Sequence, residues 1–592
     1  MALFPVKLLV SCLISAVCFT NGGFVSTTAT TGDNTLPRDT NGTVNTHDLL
    51  ARDDGVPSSY SEGTLRGSVV LYNGKIHTMD ASDTVANVIG IKDGKIVYVG
   101  NSQTEALHRA NSLSSSPQQQ PRAINLRGRI TIPGLIDCHN HIVLLGNRPG
   151  YHTPLESAAS IADVQATYKA RASAVPKGSF ITTIGGFSPN QFAERRLPTL
   201  AELDAAAPDH PVFISTSFAG PATTNTLGKN FFQSLPGDMS VAVSANGSIA
   251  IGLENGKALL SLRQQLTFAD RKRTVHDTMA YAASLGLTTH LDQGAFAATN
   301  TPADIAASED LYTFHLPWLS VYDDLRGIIR LRINFLSQDT DLAVPAVTQR
   351  LLNTFKFFGN DMVRTGAIGE FVTADYDGGP VFDQALRAVA KAGWRLEVHS
   401  LTDTDYQRQI RAFEAVNSAF NITSLRWVVA HVPQITQEYL ARLKRLGGGV
   451  NLSGWQYLAG TGNTTNPAGP PWRRIIDSGI PAGFGADGAN IAPLSPWPHI
   501  YYATTGKNSK GELINPGQTI SRLEALKLYT TANNWFLGGP DEGTLGVLEE
   551  GRLGDVVVLS DDYFSVSEEK LKKMKSVLTV VGGVVVYDSG DL

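Results

Sequence analysis

His139 and His141 stand one residue apart at the end of the apolar run GLIDCHNH. On a strand, residues i and i+2 point the same way, so both imidazoles can grip one ion. Alone, such a pair says little. Four later segments repeat the setting: WRLEVHS leads to His399, RWVVAH to His431, PAGFGAD to Asp487, and RTGAIGEF presents Glu370. A barrel of parallel strands gathers those carboxyl ends around one mouth. Imidazoles with carboxylates suit a divalent metal, zinc first, as one or two ions, while manganese and iron also fit such donors. Such an ion polarises a carbonyl and brings the pKa of its water down to ~7. Asp487 is the candidate proton shuttle as well as a metal ligand, since a carboxylate at the eighth strand end can take a proton from water and pass it to a leaving nitrogen.

Other residues have two readings each. His290 in GLTTHLDQG faces the same mouth and orients substrate, or is a hydrogen-bonded structural histidine. Trp455 and Tyr457 in LSGWQYLAG contact substrate, or cover the barrel mouth. Cys138, between Asp137 and His139, points away from both and reads as a packed thiol rather than a nucleophile.

These residues need a scaffold. Barrel strands are expected near 132–138, 287–292, 330–336, 364–371, 394–399, 426–431, 448–453 and 481–487. Helical segments such as PVFDQALRAVAKAG and SRLEALKLYTTANNWFL fill the gaps, the βα alternation of a distorted (β/α)8 TIM barrel over 131–536. Hairpin-like strands at 68–130 and 537–592 predict one composite β-sandwich built from both flanks. The stretch 146–265 is too long for one connection and reads as an inserted subdomain, a lid or a cap, with a helix around IADVQATYKARASAV and strands at FITTIG and HPVFIST.

Composition excludes several classes. The chain has 592 residues, 17% charged and 42% hydrophobic, with net charge -5. No basic cluster favours nucleic acid or an anionic membrane, so a small-molecule substrate is the expected partner, and a homo-oligomer is compatible. Lys7 precedes LLVSCLISAVCF, an apolar run of 12 residues, too short to span a bilayer and suited to a signal peptide over 1–20. Residues 21–67 read as a flexible linker, and no membrane anchor is expected. Cys12 and Cys18 leave with the leader, so the mature, secreted chain keeps Cys138 and no internal disulfide. Sequons at Asn41, Asn246, Asn421, Asn451 and Asn463 fit a glycoprotein, with Asn451 the doubtful one because it lies in an expected strand.

Taken together, LYNGKIHTMD, IKDGKIVYVG, PGLIDCHNH, EVHS, VVAHVP, GFGADGA and GTLGVLEEGRLGDVVVLS, in this order, resemble the amidohydrolase superfamily, specifically amidohydrolase family 3, over roughly residues 68–590. The resemblance implies a metal-dependent hydrolase with a distorted barrel, a composite β-domain and one or two divalent ions. Two departures stand out. Where many members carry a metal-bridging carboxylated lysine, this chain has Gly369 and Glu370; Glu370 either bridges two ions or pairs with a nearby cation beside a single ion. Where relatives carry a histidine before Asn-Ser, AGPATTNT has Pro221. The leading function is hydrolysis of a non-peptide amide or N-acyl bond by metal-activated water. A deaminase or cyclic-amide hydrolase, a phosphotriesterase or lactonase, and a catalytically inactive binding protein are the alternatives.

Overall fold

A computed structural model describes residues 60–61, 63–111, 121–294, 311–488 and 491–592. The expected leader, most of the expected linker, Cys12, Cys18 and the Asn41 sequon lie outside the described residues.

Eight parallel strands frame the site. They are β1 (Leu135–Asn140), β2 (Leu287–Asp292), β3 (Arg330–Phe335), β4 (Val363–Ile368), β5 (Glu397–Val398), β6 (Val428–Ala430), β7 (Gly449–Ser453) and β8 (Ala482–Gly485). They form two four-stranded sheets, β1-β2-β3-β4 and β5-β6-β7-β8. A parallel bridge between Ile368 and Leu396 links β4 to the start of β5. The Asp487 N–H, just beyond β8, donates to the His139 carbonyl of β1 at 2.8 Å. β1, β2, β6, β7 and β8 are buried at every residue, the pattern of parallel strands covered on both faces. One cover is the helix Pro380–Lys391, which turns Phe382, Ala385, Leu386 and Val389 inward at helical spacing. Another is Asp403–Phe420, begun by a capping box between Thr402 and Asp405.

The first strand departs from the expected 132–138. Ile130–Pro133 is a separate strand of the flanking sheet, and β1 starts only after Gly134. A Cβ on Gly134 would stand 2.2 Å from Thr288 Oγ1, so the chain can change sheets there only with glycine. β5 is likewise shorter than the expected 394–399.

Strands of the two flanks pair in one sheet. A six-stranded sheet places Val556–Leu559 between Ile130–Pro133 and Ser576–Val581, so both ends of the chain meet in one sheet. A four-stranded sheet from residues 69–125 shares its apolar core, with Val69, Leu71, Ile89 and Ile91 clustering with Val556, Val558 and Val580. Two buried arginines of β3 tie the flank to the parallel strands. Arg330 donates twice to Asp555 at 2.7 and 2.8 Å, and Arg332 donates twice to Asp541 at 2.6 and 2.9 Å. Arg364 adds a further bond to Asp541.

The expected linker ends too late. Thr64–Leu65 pairs with Tyr60–Ser61, and Leu65 is buried in the main core, so regular structure precedes Ser68. The 146–265 insertion forms a five-stranded sheet with helices such as Ile161–Ala174, and two apolar clusters of its own. Glu156 pins it to the loop after β8 by accepting from Leu494 N–H at 2.6 Å and Ser495 N–H at 2.9 Å, and to the helix Phe268–Ser284 by accepting from the Tyr281 hydroxyl at 2.7 Å.

Candidate metal centre

Six of the expected residues converge. Groups of donor atoms within 4.8 Å of one another are formed by His139, His141 and Glu370, by His139, His431 and Asp487, and by Glu370, His399 and His431. Glu370 is at the centre. Its Oε1 lies 3.2 Å from His141 Nε2, while its Oε2 lies 2.9 Å from both His399 Nδ1 and His431 Nε2 and 3.6 Å from His139 Nε2. Asp487 Oδ1 stands 3.6 Å from His141 Nε2 and 3.9 Å from His139 Nε2, and its Oδ2 3.7 Å from His431 Nδ1.

Strand ends explain the convergence. His139 belongs to β1 and His141 follows it, whereas Glu370, His399, His431 and Asp487 come within two residues after β4, β5, β6 and β8. His431 and Asp487 adopt φ of 68° and 50°, a left-handed turn found at few non-glycine residues and concentrated at functional sites.

The donor set fits a divalent cation. His139 Nε2 is buried without a hydrogen-bond partner among the described residues. A buried polar atom of that kind is costly unless something else satisfies it. His399 Nδ1 and His431 Nε2 lie 2.9 Å apart on the same carboxylate oxygen, three electron-rich atoms facing one point. Burial opposes charge on His139, yet Glu397, Glu370 and Asp487 raise its pKa to about 10. Burial likewise opposes charge on His141, but Glu370 and Asp487 raise it to about 9. Burial pushes the Glu370 carboxyl up, and the surrounding His399, His141 and His431 more than reverse that, holding it well below the usual carboxylate range. So much negative charge asks for a cation, and metal binding to such rings releases protons.

Three expected contacts lie outside this cluster. His290 pairs in register with Asp137, two residues before His139, and its Nδ1 lies 2.7 Å from Asn140 Nδ2. Burial lowers its pKa to about 3, so it stays neutral in the strand interior. Tyr457 is buried, its ring 6.1 Å from that of Tyr501. Trp455 is half-buried at the start of the short helix Gln456–Ala459, and its Nε1 has no partner among the described residues. Instead, the aromatic contacts to a donor ring come from Phe371 and Tyr376, whose centroids lie 5.1 and 4.9 Å from that of His399.

Cys138 is buried and free; Asn451 Nδ2 donates to its sulfur at 2.9 Å, and burial raises its thiol pKa far above normal. Buried and bonded in this way, the thiol is a packed group of the strand interior. The same bond accounts for Asn451, which is fully buried and closed to a glycan in the folded chain, unlike the exposed Asn246, Asn421 and Asn463.

Sequence reasoning missed the residues behind the ligands. Glu397 Oε1 lies 2.5 Å from His139 Nδ1, Ser453 Oγ 3.0 Å from His431 Nδ1, and the Gly294 carbonyl 2.8 Å from His141 Nδ1. For Glu397 a signal existed: it precedes His399 by two residues and so shares its strand face.

An α/β scaffold with histidines and carboxylates at parallel strand ends defines a metal-dependent hydrolase. The chain belongs to the amidohydrolase family, whose model matches residues 122–587. It is an enzyme, a hydrolase of carbon–nitrogen bonds other than peptide bonds. It is 23% identical over 564 residues to the N-substituted formamide deformylase of Arthrobacter pascens, covering 88% of this chain and 98% of that protein. A crystal structure of an uncharacterized metal-dependent hydrolase from Pyrococcus horikoshii OT3 aligns with TM-score 0.55 at 16% identity, over 85% of this chain and 99% of that one. Atrazine chlorohydrolase from Arthrobacter aurescens TC1, solved with zinc, aligns with TM-score 0.50 at 16% identity, over 88% and 95% of the two chains.

Proposed function

We propose that this chain is a secreted hydrolase that cleaves an acyclic amide or N-acyl bond of a small molecule, with its metal held by His139, His141, Glu370, His399, His431 and Asp487. One observation carries the reading: the two oxygens of Glu370 face different ligand groups, His141 on one side and His399 with His431 on the other. A carboxylate so placed would hold two ions at once, the work of a carboxylated lysine without the modification. Bound divalent ions supply Lewis acidity that activates water and polarises the scissile carbonyl.

The chain's own groups do the rest. Asp487 lies beside three of the rings and takes the proton from the attacking water, then delivers it to the leaving nitrogen as the carbon–nitrogen bond breaks. Closure of the eight parallel strands into one barrel, supported by the Ile368–Leu396 bridge and the Asp487–His139 bond, keeps all six residues on one rim. The two flank sheets act as one composite β-sandwich. The insertion, pinned by Glu156, forms the wall or lid of the pocket, and Trp455 contributes its edge. Similarity to a formamide deformylase along nearly its whole length supports a small acyl group on nitrogen.

The atrazine chlorohydrolase solved with zinc, among the structural neighbours, supports a second reading, a deaminase or cyclic-amide hydrolase on the same fold. Metal analysis joined to a screen of formamides, N-acyl amino acids and cyclic amides separates the two. Chelator-sensitive turnover of acyclic amides is the expected outcome; turnover of cyclic substrates alone selects the second reading. A metal-loaded protein that turns over neither overturns both readings of the substrate.

A further inference from the structure

A buried chain of side chains, starting on a backbone amide of β4, fixes which nitrogen of His139 carries its proton. The Ala367 N–H donates to Asn334 Oδ1 at 2.7 Å. A backbone amide only donates, so the atom it meets is the asparagine oxygen, and the other end of that amide must donate in turn. Asn334 Nδ2 donates to Gln293 Oε1 at 3.0 Å, and Gln293 Nε2 donates to Glu397 Oε2 at 3.0 Å. Glu397 Oε1 then lies 2.5 Å from His139 Nδ1. Asn334, Gln293 and His139 are 0% exposed and Glu397 1%, which leaves no room for solvent to reverse any link.

We infer that Glu397 is a positioning residue whose carboxylate, oriented by Gln293 and Asn334, locks His139 into the tautomer that binds metal. The inference rests on the metal-centre reading above. A carboxylate accepts at both oxygens, so His139 Nδ1 keeps its hydrogen, and Nε2 is the nitrogen that gives up its proton and offers its lone pair when metal binds. That Nε2 is the buried atom without a partner among the described residues, 3.6 Å from Glu370 Oε2. Without the carboxylate either ring nitrogen can carry the hydrogen, and one of the two forms cannot ligate.

The fixed direction of the chain makes an isosteric test sharp. In Glu397→Gln the Gln293 amide still donates, so the new side chain must receive with its oxygen and turn its NH2 towards His139 Nδ1. The ring then holds its hydrogen on Nε2, facing the metal. Adding Gln293→Glu moves the carboxylate one link back: it accepts from Asn334 and from the amide at 397, whose oxygen again faces His139 Nδ1. Glu397→Gln should therefore weaken metal binding by about 10–100-fold, and the double variant should restore it. Asn334→Asp, remote from every ligand, should weaken it as well, because the Gln293 amide then turns its NH2 towards the new carboxylate and away from Glu397.

The measurement is zinc affinity by chelator competition on the full chain, with circular dichroism and metal-free melting as controls for folding. Weakened binding in Glu397→Gln with recovery in the double variant establishes the relay. Wild-type zinc affinity in folded Glu397→Gln or in folded Asn334→Asp overturns it, as does a folded double variant that stays weak. Wild-type protein that binds no zinc overturns the metal-centre reading and the relay together, so the two failures are distinguishable.

Discussion

Asp487 and Glu370 are both carboxylates among histidines, yet their surroundings assign them different work. Glu370 has four imidazole nitrogens within 3.6 Å, whereas Asp487 approaches its rings no closer than 3.6 Å. Asp487→Asn is accordingly expected to keep the fold and most of the metal while lowering turnover by at least ~10²-fold, the usual worth of a general acid–base group. Steady-state kinetics beside metal analysis checks this, and near wild-type turnover removes Asp487 from the mechanism. Glu370→Gln is expected to cost one metal equivalent per chain, because a neutral amide cannot offset two dications. Unchanged stoichiometry in that variant by elemental analysis would falsify the bridge.

At the level of elements, the arginines of β3 are the strongest clamps between the parallel strands and the flank. Asp541 is buried, and although burial alone raises a carboxyl pKa, Arg332 and Arg364 lower this one. A lowered folded pKa means stabilisation that is complete above the ordinary carboxylate value of ~3.9 and is lost as pH falls through the folded value. Asp541→Asn should flatten that acid limb and cost about 3–5 kcal/mol at neutral pH, since the buried Arg332 loses its counter-ion and Arg364 keeps only Asp361, at 3.7 Å. Urea unfolding across pH measures both. Elements of this kind also show what the sequence could reveal. The strand ends around His139, His399 and His431 were legible because apolar runs stopping at a histidine are local patterns. The break at Gly134 was hidden, because the clash that demands glycine comes from Thr288, far along the chain. Gln293 and Asn334 escaped notice for the same reason: each is an ordinary polar residue until the strands are set side by side.

For the whole molecule, metal and fold are linked. Ions that bind the native centre and not the unfolded chain add RT ln(1 + [L]/Kd), about 2.7 kcal/mol at a hundredfold excess over Kd. Chelation should therefore lower the melting temperature and abolish turnover together, with both restored by added zinc; a melting curve indifferent to chelator argues that no native metal contributes. In a host that glycosylates secreted chains, peptide mapping should find Asn451 unmodified, because its amide is spent on Cys138 inside β7. The sheet that joins both ends of the chain sets a timetable for synthesis. Ile130–Pro133 gains its second neighbour only when Val556–Leu559 emerges. At roughly 5–20 residues per second, that is a wait of ~20–90 s for the 422 residues between Pro133 and Val556. During that interval a β-branched strand edge stands open on the ribosome, an invitation to pairing with other nascent chains that a chaperone or a slowly closing neighbour must decline on its behalf.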